Sequence, residues 1–229
     1  MKILIDPGHR NNINDFGASG NGLKESTLAL SISKKIKVEL EKRGIVVYMS
    51  RETENDCHSL PQRTNKANNL KVDLYLSVHI NSASNKDATG IEVLYYDEQA
   101  FATDMCNKMC NETGAKNRGA KKRTDLHVLN ATTMSALLVE CGFISNVGES
   151  KLLTDTNYQD KLVKGIVGAI ISKYKIIVDD KNTEYEKALE TLVGANIVGS
   201  PAAWQLDKIN INNVPSLIKK MAKYVEGRS

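Results

Sequence analysis

Two of the four histidines in this chain stand at the ends of apolar runs. His9 closes MKILIDPGH, and His79 comes near the end of DLYLSVHIN. In an open α/β sheet, functional groups collect beyond the carboxyl ends of the strands. Two imidazoles there need only one carboxylate to hold a zinc ion with a position left open for water. Glu25 is the candidate, because it follows a glycine-bearing loop (Gly17, Gly20, Gly22) that can carry it back to the strand ends. Glu140 is a second acid, in ALLVECGF. A carboxylate after three apolar residues is costly unless it is paired, metal-bound or at a sheet edge. It could serve as general base and acid for a metal-activated water. Each of these residues also has a plain structural reading. Glu25 suits the positive end of a helix dipole, Glu140 could belong to a buried ion pair, and a single histidine is more often structural. The spacing from His9 to Glu25 to His79 matches no short helical zinc motif. Residue types alone therefore leave a metal site and a structural cluster both open.

Other reactive residues weigh less. Asn81, two positions after His79 on the same side of an extended strand, is a candidate substrate contact or a turn-forming asparagine. Cys141 follows Glu140, so in a strand it points to the opposite, packed face. His58 and His127 are read as structural or surface residues. Cys57, Cys106, Cys110 and Cys141 show no paired metal spacing and are read as reduced thiols.

The elements that must position these groups follow from periodicity. Residues 2–5 form a short apolar strand. Leu28, Ile32, Ile36 and Leu40 mark one face of a helix that ends before Gly44. Strands are expected at 45–49, 72–80, 91–96, 126–129 and 136–141, and helices at 60–70, 99–113 and 158–174. The alternation gives an α/β class, with helices covering a largely parallel sheet. The texture changes after Lys175. Residues 176–182 resemble a linker, and 183–229 carry three helical patterns, the first opened by Thr183 and Glu186 as a capping box. The expected domains are thus 1–175, a linker at 176–182, and a small all-α domain at 183–229.

Composition narrows the classes. At 41% hydrophobic and 25% charged, the 229 residues suit an ordinary globular chain. Seven basic and seven acidic residues cancel from Ile176 onward, so the net charge of +4 lies before it. That mild excess suits an anionic wall polymer or a merely solvated surface. No basic run is interleaved with aromatics, so nucleic-acid binding is not expected. The apolar start is short, so no secretory signal and no membrane-spanning segment are expected.

Several ordered motifs carry a resemblance. IDPGHR, DFGASGNGLKES, MSRETEN, LPQRTNKAN, DLYLSVHINSAS, TGIEVLYY and LLVECGFISN resemble, in sequence order, the zinc-dependent N-acetylmuramoyl-L-alanine amidases. The resemblance runs from Met1 to about Lys175. It implies one Zn2+ held by His9, Glu25 and His79, with Glu140 as the catalytic acid/base and a fold like the zinc exopeptidases. Ser135-Ala136 departs from the family's frequent Pro-Ala before the catalytic strand but spares every metal position. The implied substrate is peptidoglycan, cut between N-acetylmuramic acid and L-alanine. The expected role is a phage or prophage endolysin of a Gram-positive host, made in the host cytoplasm and acting on the wall after release. A mother-cell autolysin of sporulation and a zinc carboxypeptidase acting on wall peptides are the alternatives. A non-catalytic wall-binding protein is a further rival. The segment 183–229 would hold secondary wall polymers or form a homodimer.

Overall fold

A computed structural model describes residues 1–10, 15–56, 58–176, 191, 192 and 221. The chain divides into two compact units, Met1–Ile176 and Ile177–Ser229. The helices expected within 183–229 lie outside the described residues, apart from those three positions, and Cys57 lies outside them too.

In chain order the elements of the first unit are β1 (Lys2–Pro7), β2 (Ser19–Gly20), β3 (Leu23–Lys24), α1 (Glu25–Glu41), β4 (Val46–Met49), α2 (Leu60–Leu70) and β5 (Leu74–Asn81). They continue with β6 (Ile91–Tyr95), α3 (Gln99–Thr113), β7 (Asn117–Lys122), α4 (His127–Asn130), β8 (Ser135–Phe143), α5 (Val147–Thr154) and α6 (Thr156–Tyr174). Six strands make one sheet in the order β4-β1-β5-β8-β6-β7, and β2 pairs with β3 in a small hairpin. The strands from β4 to β8 run parallel. β6 is antiparallel to β8, and β7 follows β6 in parallel. The mostly parallel sheet between helices is the expected α/β class.

Strand periodicity builds the two layers. Ile3, Ile5, Leu76, Val78, Leu137 and Val139 face one apolar cluster with residues of α1, α3 and α6. Their alternates Leu4, Tyr75, Ala136 and Leu138 face a second cluster with Ala67, Val128 and Leu129 from α2 and α4. Full burial of such a side chain contributes about 1.5–3 kcal/mol. Both faces of the central strands are covered, so they read as continuous apolar runs. Local caps fix the helix starts. The Ser59 hydroxyl accepts from the Gln62 backbone N–H while the Gln62 side chain accepts from the Ser59 N–H. The Asn146 and Asp155 side chains accept from the Glu149 and Tyr158 backbone N–H groups and so cap α5 and α6.

Residues 126–129 are not the expected strand. They form the start of a helical turn, with Leu129 and Asn130 N–H groups donating back to the Leu126 carbonyl. A short apolar run has no period that separates a buried strand from a buried turn. β7 escapes an apolar pattern altogether because it is an edge strand of sequence NRGAKK. No described helix is long and apolar enough to cross a membrane. Cys106, Cys110 and Cys141 are buried free thiols.

The helix pair α3–α6 crosses at a glycine. A Cβ on Gly165 would stand 2.6 Å from the Met109 Cα, whereas one on Gly168 would meet only the Lys108 Cδ at 3.8 Å. Gly165→Ala should destabilise the protein by about 1–3 kcal/mol through overpacking. Gly168→Ala should stabilise it by up to about 1 kcal/mol through helix propensity. Urea unfolding would show opposite shifts of the midpoint, and equal shifts would contradict the close crossing.

Candidate metal centre and catalytic glutamate

The site begins where β1 stops. Pro7 ends the strand, the Gly8 N–H donates to the Val78 carbonyl at 2.8 Å, and His9 turns with φ of 58°. That left-handed conformation costs a side-chain-bearing residue about 1–2 kcal/mol. Two arginines, 2% and 3% exposed, hold it in place. Arg51 donates to the carbonyls of Pro7 at 3.1 Å, Gly8 at 3.0 Å and Ser26 at 2.6 Å. Arg63 donates to the His9 carbonyl at 2.8 Å and to Asp6 at 3.3 Å. Buried Asp6 also accepts from the hydroxyls of Ser50 and Ser77. Gly8 itself has no room for a side chain, since a Cβ would lie 2.5 Å from the His79 ring.

Glu25 enters from the first residue of α1. The loop before it closes the helix start, with Glu25 and Ser26 N–H groups donating to the carbonyls of Ala18 and Phe16. Each carboxylate oxygen has a fixed backbone donor: Ala18 N at 2.8 Å on Oε2, and Ile80 N at 3.0 Å on Oε1. His79 Nδ1 lies 2.8 Å from Oε1, and His9 Nε2 lies 3.3 Å from Oε2. The opposite nitrogen of His9 faces Asp15 at 2.7 Å. Burial opposes ionisation of Glu25, but the two imidazoles outweigh it and hold the carboxyl far below its usual range. Burial likewise opposes a charge on His9, yet Glu25 and Asp15 raise its pKa.

These atoms fit a zinc ion. One donor atom from each of His9, Glu25 and His79 lies within 4.8 Å of the others. Tetrahedral zinc with bonds near 2.0–2.2 Å spaces adjacent donors about 3.3 Å apart. Two imidazoles with one carboxylate form a typical catalytic zinc set, and a carboxylate behind a ligating imidazole, here Asp15, fixes its ring.

Glu140 stands beside the donors. It pairs in register with His79 across β5 and β8, and with Glu92 across β8 and β6. The three side chains therefore share one sheet face at one level. Glu140 Oε2 is screened from solvent and has no hydrogen-bond partner among the described residues. Burial and the charges of Glu25 and Glu92 push its pKa well above the usual carboxyl value. Cys141 points into the opposite apolar cluster, as strand alternation requires. Asn81 donates to Glu92 Oε1 at 3.0 Å and accepts from the Ser82 N–H. His127 meets the Thr64 hydroxyl at 3.3 Å and is not part of the His9, Glu25 and His79 group.

Several supporting residues carried no assigned role in the sequence. Asp15 sits six positions after His9 and gives no periodic signal. Glu149 accepts from Gly90 N at 2.7 Å and Phe143 N at 2.6 Å, which ties the exit of β8 to the start of β6. Its helix could have been found from Asn146 and Glu149, which stand at capping-box spacing. Gly17 backs the donors directly. Its φ is +72°, and an added Cβ would lie 2.5 Å from both Glu25 Oε2 and His9 Cδ2. Gly17→Ala should therefore lower zinc affinity at least about 10-fold, as displaced supporting groups do, with circular dichroism unchanged. Full zinc content in a competition with a chelator would contradict this packing role.

Comparison with known proteins shows the family. Residues 3–172 match the family model for N-acetylmuramoyl-L-alanine amidase. The chain is 33% identical over 202 residues to the sporulation-specific N-acetylmuramoyl-L-alanine amidase of Bacillus subtilis, covering 85% of this chain and 75% of that one. It is also 33% identical over 180 residues to the amidase LytC of Bacillus subtilis, but spans only 35% of that protein's length. The crystal structure of an N-acetylmuramoyl-L-alanine amidase from Clostridium difficile 630 superposes with a TM-score of 0.71 at 32% identity, covering 76% of this chain and 96% of that one. With nearly the whole first unit matched, the chain is an enzyme of the N-acetylmuramoyl-L-alanine amidase family.

Proposed function

We propose that this chain hydrolyses the amide bond between N-acetylmuramic acid and L-alanine in peptidoglycan, with one Zn2+ held by His9, Glu25 and His79. The observation that carries the reading is the register of His79 with Glu140, which sets an unpartnered carboxylate oxygen beside the metal donors. When bound, zinc supplies Lewis acidity toward water and toward a carbonyl oxygen. Glu140 takes the proton of the attacking water and returns it to the departing L-alanine nitrogen. Its raised pKa suits both halves of that transfer. Asp15 fixes the His9 ring through Nδ1. Asn81 commits one amide N–H to Glu92 and keeps a second for substrate. The products are a glycan bearing a free lactyl carboxylate and a peptide with a free L-alanine amine.

The carboxypeptidase alternative needs an arginine for a terminal carboxylate. Of Arg51, Arg63 and Arg118, the first two are buried and committed to backbone carbonyls, and Arg118 is held by Glu92 and the Thr89 carbonyl. For the biological setting we favour an endolysin, since an endolysin of Bacillus phage SPP1 is 34% identical over 173 residues. The mother-cell autolysin stands beside it, because the sporulation-specific relative matches more of both chains. Residues 1–175 are proposed as the catalytic domain and 183–229, after a linker at 176–182, as a module for secondary wall polymers or homodimer formation.

Digestion of purified sacculi tests the chemistry. Mass spectrometry should find new L-alanine amino termini, whereas loss of carboxyl-terminal residues would establish the carboxypeptidase. Glu140→Gln should cut turnover about 10²–10⁴-fold with zinc content unchanged. Normal hydrolysis by that variant would remove Glu140 from the mechanism. The metal-free variant should also be more stable at neutral pH. A carboxyl whose folded pKa is raised destabilises the fold as pH climbs from its unfolded value, and glutamine has no such charge. Thermal melting across pH 4 to 8, flatter for the variant than for the parent, is the expected result.

A further inference from the structure

Beyond Glu140 the same level of the sheet continues to Glu92, and Glu92 gathers cations from the edge strand β7. Its Oε2 accepts from Lys121 Nζ at 2.5 Å and from Arg118 Nε at 2.8 Å. Arg118 is further fixed over the Phe143 ring at 4.8 Å. Two cations thus meet one carboxylate, and one positive charge is left over on the flank of the catalytic glutamate. Neighbouring Arg123 is matched by Asp125 and adds no surplus. Lysines on an edge strand commonly guard against strand pairing, and such residues reach into solvent. Lys121 keeps a half-exposed side chain but turns its ammonium onto Glu92, which engages one of its three donors. Its charge is also felt at Glu140.

Resting on the amidase reading, we propose that Lys121, with Arg118 and Glu92 as its support, is a specificity subsite for a free carboxylate on the peptide stem, on the leaving-group side of the scissile amide. The fit is chemical. A peptide stem extended beyond L-alanine through an acidic residue carries either a free carboxylate or its carboxamide. A surplus cation beside the acid that protonates the leaving amine would separate the two. A charge-assisted hydrogen bond of this kind contributes about 1.5–3 kcal/mol, roughly a 10-fold to 100-fold preference. It also explains why Glu92 is buried with two cationic partners where one would neutralise it.

The test uses two synthetic muropeptides that differ only in a free carboxylate or a carboxamide on the second stem residue. The full-length zinc enzyme should cleave the carboxylate form with a kcat/KM about 10-fold higher, mostly through KM. Lys121→Met should abolish that preference by losing activity on the carboxylate form alone, and Lys121→Arg should restore it. Lys122→Met removes the same charge from the other face of β7 and should leave the preference intact. Three results would overturn the subsite: no preference in the parent enzyme, an equal loss on both substrates in Lys121→Met, or the same loss of preference in Lys122→Met. Release of a free L-alanine amine from either substrate upholds the amidase reading whichever way the preference falls.

Discussion

Two buried guanidinium groups and one reversed turn hold the rest of the site together. β1 ends at Pro7, and the backbone carbonyls from there to His9 need donors. Arg51 and Arg63 supply the missing donors for Pro7, Gly8 and His9. An unpaired buried backbone group costs as much as a lost hydrogen bond, so this arrangement offsets both that cost and the strain at His9. Arg51 also reaches Ser26, which couples the His9 turn to the helix that bears Glu25. His9 and Glu25 are therefore set by backbone that these hydrogen bonds fix.

The same economy of space explains the glycines. Gly8 lies against the His79 ring and Gly17 against Glu25 and His9, so main chain rather than side chain forms two walls of the site. A wall of this kind can move only with its loop. On the other side the wall is electrostatic. Glu140 shares one sheet level with His79 and Glu92, and its free oxygen lies between a cation-seeking cluster and a carboxylate that two cations already hold.

How much of this was legible depended on the kind of signal. Buried strands and the long helices show in apolar period, and His9, Glu25, His79 and Glu140 show by position and by motif order. The structure brings the first three donors together and sets Glu140 next to His79. β7 was invisible because an edge strand need not be apolar, and residues 126–129 were ambiguous because four residues carry no period. Asp15 and Glu92 act through contacts between segments distant in sequence or within irregular loops, and no local pattern announces them, whereas Glu149 shows only a helix start and not its tie to Gly90. Arg51 and Arg63 lie within two of the ordered motifs, but their roles become plain only when the carbonyls they cap are seen.

The central claim is that His9, Glu25 and His79 hold one zinc ion through nitrogen and oxygen donors. X-ray absorption at the zinc edge, on protein with its metal content measured, tests it directly. The account predicts one zinc per chain with two imidazole nitrogens, light-atom ligands completing the shell, and no sulfur. A sulfur shell, or an absence of bound zinc in folded protein that cleaves sacculi, would contradict it.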